Sequence, residues 1–218
     1  MAAAVLFDLD ETLHDRAASL RAFLIDQHRR WFSGRVEEET FVERFTRLDA
    51  HGSLSKAVLY PKLMAELGID EPSGADLATE YRLRYHEFAC PMAGAGDLLA
   101  ALRRRGFKLG VVTNGWTDFQ SRTVATIGIR YAVDTVLVSE TEGLRKPDAR
   151  LFRRAAERLG VATGSCLFVG DNPTADVLGA EAAGMRAIWL RRGIPWPDHH
   201  PSAQLQVDEL IDVARLLL

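Results

Sequence analysis

Seven residues in this sequence carry side chains that would do chemistry if folding brought them together. Asp8 and Asp10 lie in the string DLDET, Thr113 and Asn114 in TNG, Lys146 in RKP, and Asp171 and Asp176 in GDNPTAD. Four carboxylates gathered in one place would repel and raise one another's pKa values. A divalent cation removes that conflict. A ligand set made of oxygens, without His or Cys, favours a hard ion, and Mg²⁺ is the usual one where a phosphate shares the site. Lys146 would add a positive charge suited to phosphate. Thr113 and the backbone amides after it can hydrogen-bond phosphate oxygens. A carboxylate that attacks phosphorus must overcome the repulsion between two anions, and the metal and the lysine would supply that screening.

The elements that must deliver these residues can be read from hydrophobic patterning. Continuous apolar runs occur at 3–8, 108–113 (KLGVVT), 135–139 (TVLVS), 165–171 (SCLFVGD) and 186–190 (RAIWL). Such runs fit strands buried on both faces, as in a parallel sheet. Between them lie helical patterns at 94–105, 119–127, 150–159 and 174–183, bounded by Gly, Asn, Pro or Asp. The alternation predicts an α/β fold, a doubly wound parallel sheet with helices on both faces. Residues 205–218 read as a short strand and a closing helix. In an open parallel sheet ligands bind at the carboxyl ends of the strands, where DLDET, TNG and GDNPTAD all fall, with RKP following the third run.

One stretch breaks the alternation. Residues 17–89 show only helical periodicity, with stripes at Leu20, Phe23, Leu24 and Trp31, at Phe41, Val42, Phe45 and Leu48, and at Leu77, Tyr81, Tyr85 and Phe88. These stripes predict packing between helices. Two domains are expected: a core of residues 1–16 and 90–218, and a helical cap of residues 17–89 inserted after the first strand. Pro61 predicts a helix that starts late or kinks. His51, Lys56 and Tyr60 in the insert are polar enough to face a substrate. An exposed aromatic face on the insert would suit a homodimer; otherwise a monomer is expected.

Taken together, DLDET, the apolar run ending in TNG, the downstream Lys146-Pro147 and GDNPTAD resemble the haloacid dehalogenase-like hydrolase superfamily. The four motifs stand in that family's order, each after a predicted strand, and the helical insert sits where the family places its C1-type cap, so the resemblance covers essentially the whole chain. It implies a Rossmann-like core. It also implies roles: Asp8 as nucleophile forming an aspartyl-phosphate, and Asp10 as general acid/base that lends its backbone carbonyl to magnesium. Thr113 and Asn114 would bind phosphate, Lys146 would steady nucleophile and phosphate, Asp171 would ligate the metal, and Asp176 would support it. The family's dehalogenase branch lacks an aspartate two residues after the nucleophile. Asp10 therefore favours a magnesium-dependent phosphatase for small phosphate monoesters, sugar phosphates or nucleotides, over a 2-haloacid dehalogenase. Phosphomutases share these motifs, and a non-catalytic binding protein would have no need of the intact charged set. The cap would close over the site and select the leaving group.

Composition excludes other classes. With 27 Lys and Arg against 30 Asp and Glu the net charge is −3, without the basic excess that nucleic-acid binding needs. Two distant cysteines, Cys90 and Cys166, make neither a disulfide framework nor a zinc set. No apolar run approaches the ~18 residues of a membrane span, and no basic leader precedes Asp8, so a cytoplasmic protein acting on a small phosphorylated metabolite is expected. The pair His199 and His200, in a Pro-rich segment, reads as solvated.

Overall fold

A computed structural model describes residues 2–217. The chain begins with β1 (Ala4–Phe7) and enters the insert through α1 (Arg16–Trp31), α2 (Glu38–Asp49), α3 (Lys56–Leu67) and α4 (Gly74–Arg84). It continues with α5 (Ala95–Arg104), β2 (Lys108–Thr113), α6 (Thr117–Thr126), β3 (Thr135–Val138), the single turn α7 (Ser139–Glu142), α8 (Ala149–Leu159) and β4 (Cys166–Gly170). A π-helical turn (Pro173–Leu178) leads into α9 (Gly179–Ala183), followed by β5 (Arg186–Leu190), β6 (Gln206–Val207) and α10 (Leu210–Leu217). Contacts divide the chain into two units, one holding the residues up to Arg16 and from Cys90 onward, the other Ala17–Ala89.

In the first unit six parallel strands lie in the order β3-β2-β1-β4-β5-β6. The chain leaves β1 to one side for β2 and β3 and to the other for β4 to β6, so the topological switch point falls between β1 and β4, where such sheets bind ligands. Ala4, Leu6, Val112 and Phe168 pack with Leu151, Phe152 and Ala155 of α8 and with Ala180 of α9. The alternate residues Val5, Phe7, Val111 and Val169 are equally buried, which a strand achieves only when covered on both faces. The helix expected over 174–183 is instead a π-turn followed by a short α-helix. Pro173 brings no N–H to its first turn, Asn172 caps it by accepting from Ala175 N at 2.9 Å, and the widened turn swings Asp176 inward.

In the second unit, Phe23, Phe41, Phe45, Leu77 and Tyr85 are buried as their stripes predict, with Phe23 meeting Tyr81 edge-on at 5.3 Å. Trp31 departs from its stripe. It is exposed, and its indole N–H donates to Glu80 Oε2 at 3.0 Å. The late start expected at Pro61 is not found: α3 begins at Lys56, with the proline inside it. A proline within a helix forgoes one hydrogen bond, and Gly74, bare at its α-carbon, lets the start of α4 approach the ring. Tyr60, expected to face substrate, is fully buried and donates to Gln27 Oε1 at 2.8 Å. Lys56 is paired with the buried Asp49 at 2.5 Å. Among the described residues, no helix is long and apolar enough to cross a membrane.

Candidate active site

Sheet register builds the site. Phe7 pairs with Val111 of β2 and Val169 of β4, so Asp8, Thr113 and Asp171 emerge side by side from three adjacent strand ends. Asp8 N donates to Val169 O at 2.9 Å, holding the first residue past β1 against β4. Glu11 then adopts a left-handed φ of 58° and its N–H donates to His14 O at 2.8 Å. That tight turn brings His14 back beside Asp10. From β4 the chain passes through Asp171 into the π-turn, which returns Asp176 to the strand end. Gly170 makes this possible, because a Cβ there would lie 2.5 Å from the Asp176 carboxyl.

Asp8, Asp171 and Asp176 are buried and place carboxylate oxygens within 4.8 Å of one another. Lys146 Nζ donates to Asp8 Oδ1 at 2.5 Å and to Asp176 Oδ1 at 2.7 Å. Asn172 N donates to the other Asp176 oxygen at 3.0 Å. Nothing comparable reaches the Asp171 carboxylate among the described residues. If all were ionised, three carboxylates and one ammonium would leave two negative charges in a buried pocket. Burial pushes Asp171 up to about 8, and Asp8 and Asp176 add to the rise. Burial likewise raises Asp8, with Asp176 adding and Lys146 opposing, to about 7. For Lys146 burial alone would favour loss of the proton, but Asp176 and Asp8 outweigh it and hold the ammonium well above its usual range. An all-oxygen set with two surplus negative charges matches what a hard divalent cation neutralises.

The fourth carboxylate stands apart from this group. Asp10 is half-buried, and its carboxylate is held by other partners. Its Oδ1 lies 2.7 Å from His14 Nδ1 and its Oδ2 accepts from Gln120 Nε2 at 3.0 Å. Burial would raise its pKa, but the His14 hydrogen bond and charge, Arg16 and Gln120 together lower it to about 2. Thr113 is buried, and its hydroxyl accepts from Gln120 Nε2 at 3.1 Å. Asn114, expected beside a phosphate, has both ends of its side-chain amide engaged with the Lys146 backbone: Oδ1 accepts from its N–H at 2.9 Å and Nδ2 donates to its carbonyl at 3.1 Å.

Three further residues serve this site without having stood out in the sequence. His14 and Gln120 hold Asp10, and the Trp189 indole donates to Asp171 O at 2.9 Å while its ring meets that of Trp196 at a tilt, with centroids 5.1 Å apart. A lone histidine, a glutamine one turn into a helix and a tryptophan within an apolar strand carry no local signal of such roles. His199 and His200 are exposed, as expected.

A parallel sheet with a carboxylate cluster and a lysine at its switch point defines a hydrolase of the haloacid dehalogenase-like family. The chain belongs to that family, whose model matches residues 2–184. It is 32% identical to a glyceraldehyde 3-phosphate phosphatase of Methanopyrus kandleri over 100% of this chain and 99% of that enzyme. It is 44% identical to a phosphoserine phosphatase of Thermus thermophilus over 55% of this chain, a match that spans 48% of that enzyme. Among solved structures, the magnesium-bound HAD-hydrolase YfnB of Bacillus subtilis shares the fold, with a TM-score of 0.73, 24% identity, and coverage of 99% of this chain and 98% of that one.

Proposed function

We propose that this chain is a Mg²⁺-dependent phosphatase of small phosphate monoesters, sugar phosphates or nucleotides, working through an aspartyl-phosphate on Asp8. The observation that carries the reading is the pairing of Asp8 with Lys146 inside a buried cluster that has more carboxylates than cations. The phosphatase relatives support the same substrate class. Asp8, Asp171 and Asp176, with the Asp10 backbone carbonyl, would hold the metal, which supplies positive charge that screens two anions from each other.

Lys146 fixes the Asp8 rotamer and adds charge beside the transferring phosphoryl group. The Thr113 hydroxyl already accepts a hydrogen bond from Gln120, so its own proton is left to donate to a phosphate oxygen. The Asp8 carboxylate attacks phosphorus, and as the phosphorus–oxygen bond to the alcohol breaks, Asp10 gives its proton to the departing oxygen. Asp10, ionised in the free enzyme, takes up that proton from solvent as the phosphate dianion arriving beside it raises its proton affinity. In the second half-reaction Asp10 takes a proton from water. That water attacks phosphorus, the acyl-phosphate bond breaks, and Asp8 and inorganic phosphate are released. The second acid is what separates this chemistry from halide displacement.

The test is phosphate release from a panel of monoesters with and without Mg²⁺, comparing wild type with Asp8→Asn. Turnover that needs Mg²⁺ and disappears in the folded Asp8→Asn variant is the expected result. Inactivity of wild type on every ester, or activity retained by Asp8→Asn, would overturn the reading. An isomerised ester or released halide as the product would reassign the enzyme as a mutase or a dehalogenase.

A further inference from the structure

We infer that Gln120 is a positioning residue that holds the general acid/base Asp10 and the phosphate-binding Thr113 in a single hydrogen-bonded unit; this rests on the phosphatase reading and adds to it the residue that aims the acid.

Gln120 lies in α6, one turn beyond the TNG turn, and is 2% exposed. Its Nε2 lies 3.0 Å from Asp10 Oδ2, 3.1 Å from Thr113 Oγ1 and 3.1 Å from Asn114 O. One amide group with two N–H bonds thus faces acceptors on three residues of the site. Its other end, Oε1, is buried and has no hydrogen-bond partner. A buried acceptor without a donor is a cost that folded proteins rarely keep without reason. Rotating the amide by half a turn would offer Oε1 to the Thr113 hydroxyl, but it would also set that oxygen against the Asp10 carboxylate. The chain keeps the arrangement that serves Asp10 and leaves Oε1 unmet.

The backbone makes room for this. A Cβ at Gly115 would lie 2.9 Å from both Cγ and Nε2 of Gln120, so the glycine of TNG leaves space for this side chain. On the far side of Asp10, His14 reaches Oδ1 at 2.7 Å and is itself fully buried. Held at one oxygen by His14 and at the other by Gln120, the carboxylate cannot rotate freely. Each oxygen retains a second site for a proton. A carboxyl group held in one orientation is what proton transfer to a leaving oxygen requires.

The consequence depends on the leaving group. An alkoxide must be protonated as it departs, whereas p-nitrophenolate leaves readily without a proton. Loss of the Gln120 donor therefore weakens turnover of alkyl phosphates more than that of p-nitrophenyl phosphate. The experiment compares wild type, Gln120→Met and Asp10→Asn on an alkyl phosphate and on p-nitrophenyl phosphate, reading kcat/KM for each together with the thermal midpoint. Gln120→Met keeps the length of the side chain and removes both the donor and the unmet acceptor. The expected result is an alkyl-to-aryl kcat/KM ratio at least ~10-fold below wild type, within the range general acid catalysis contributes, with the thermal midpoint not lowered and the same signature in Asp10→Asn. An unchanged ratio in Gln120→Met, with or without a lowered midpoint, would reduce Gln120 to structural support. Gln120→Leu serves the same comparison should the methionine variant not fold. If wild type is active and only the ratio fails to move, this inference alone falls; if wild type releases no phosphate from either ester, the phosphatase reading falls and takes the inference with it.

Discussion

The side-chain amide of Asn114 closes a two-way clasp on the backbone of Lys146, accepting from its N–H at 2.9 Å and donating to its carbonyl at 3.1 Å. The clasp ties the end of β2 to the loop before α8, and so sets where the lysine ammonium meets Asp8 and Asp176. Asn114→Leu keeps comparable bulk and removes both bonds. Outer-layer partners of a metal site typically cost ~10–100-fold when lost, and we expect a fall of that size in kcat for phosphate release. A kcat within twofold of wild type would show that Lys146 holds its place without the clasp.

Lys146 is the ammonium that bridges Asp8 and Asp176. Lys146→Met leaves those two carboxylates buried and facing each other. Breaking a buried pair by removing one partner costs about 3–5 kcal/mol, and that loss should appear in urea denaturation at pH 7.5 with chelator present. At pH 5 Asp8, which burial already raises to about 7, takes up a proton, and the loss should shrink. An equal loss at both pH values would mean that it arises from packing around the aliphatic stem rather than from charge.

How much of this was legible in the sequence differs between sheet and site. The runs at 108–113 and 186–190 are β2 and β5 residue for residue, because a strand buried on both faces reads as a short apolar run, here set off by turn residues and rich in branched side chains. Asp8 and Asp171 follow from the same fact, since each is the first polar residue after such a run, whereas Lys146 and Asp176 lie further along the loops that follow β3 and β4. Asp10 was harder to place. Its backbone position was legible, but where its carboxylate points depends on His14 and Gln120, which meet it through a left-handed turn at Glu11 and through a helix more than a hundred residues away. Asn114 shows a related point: a polar side chain after a strand can serve a ligand or its own backbone neighbourhood, and its amide bonds to the Lys146 backbone carried no local signal in the sequence. Trp31 left its expected place because a stripe specifies a face and not which residue on it finds a polar partner, and Tyr60 is buried because its hydroxyl finds a partner in Gln27.

Asp171 carries the clearest consequence of a buried acidic cluster. Burial first, then Asp8 and Asp176, raise its pKa from 3.8 to about 8. Between those values the unfolded chain has lost this proton and the folded chain keeps it. The native state then binds more protons than the unfolded state, and stability falls as pH rises, at up to about 1.4 kcal/mol per pH unit for one such group. The contribution is fully present below pH 4 and lost as pH passes through about 8. Denaturation of metal-free wild type and Asp171→Asn from pH 5 to 8 should give curves that diverge with pH, the variant gaining relative to wild type. Mg²⁺ should raise the wild-type midpoint increasingly toward pH 8, because it competes with that proton, and should do little for the variant. Parallel curves, or an equal effect of Mg²⁺ on both proteins, would show that Asp171 neither holds the extra proton nor binds the ion.

Gly170 closes β4 at the one point where the Asp176 carboxyl presses on the backbone. A methyl group there would lie 2.5 Å from both the carboxyl carbon and Oδ2 of Asp176. The neighbour cannot yield cheaply, because Asp176 is fully buried and held by Lys146 at one oxygen and by Asn172 N at the other. Overpacking at a site of this kind costs about 1–3 kcal/mol, and the displaced carboxylate leaves the cluster it shares with Asp8 and Asp171. Gly170→Ala should therefore lower the thermal midpoint and also weaken Mg²⁺ affinity measured by calorimetry, two effects with a single steric cause. Weakened Mg²⁺ affinity at an unchanged midpoint would mean that Asp176 moves without resistance and that its bonds to Lys146 and Asn172 are weaker than their lengths indicate. A lowered midpoint with unchanged affinity would show that Asp176 can leave its place without cost to the ion, and that Asp8 and Asp171 hold it without help.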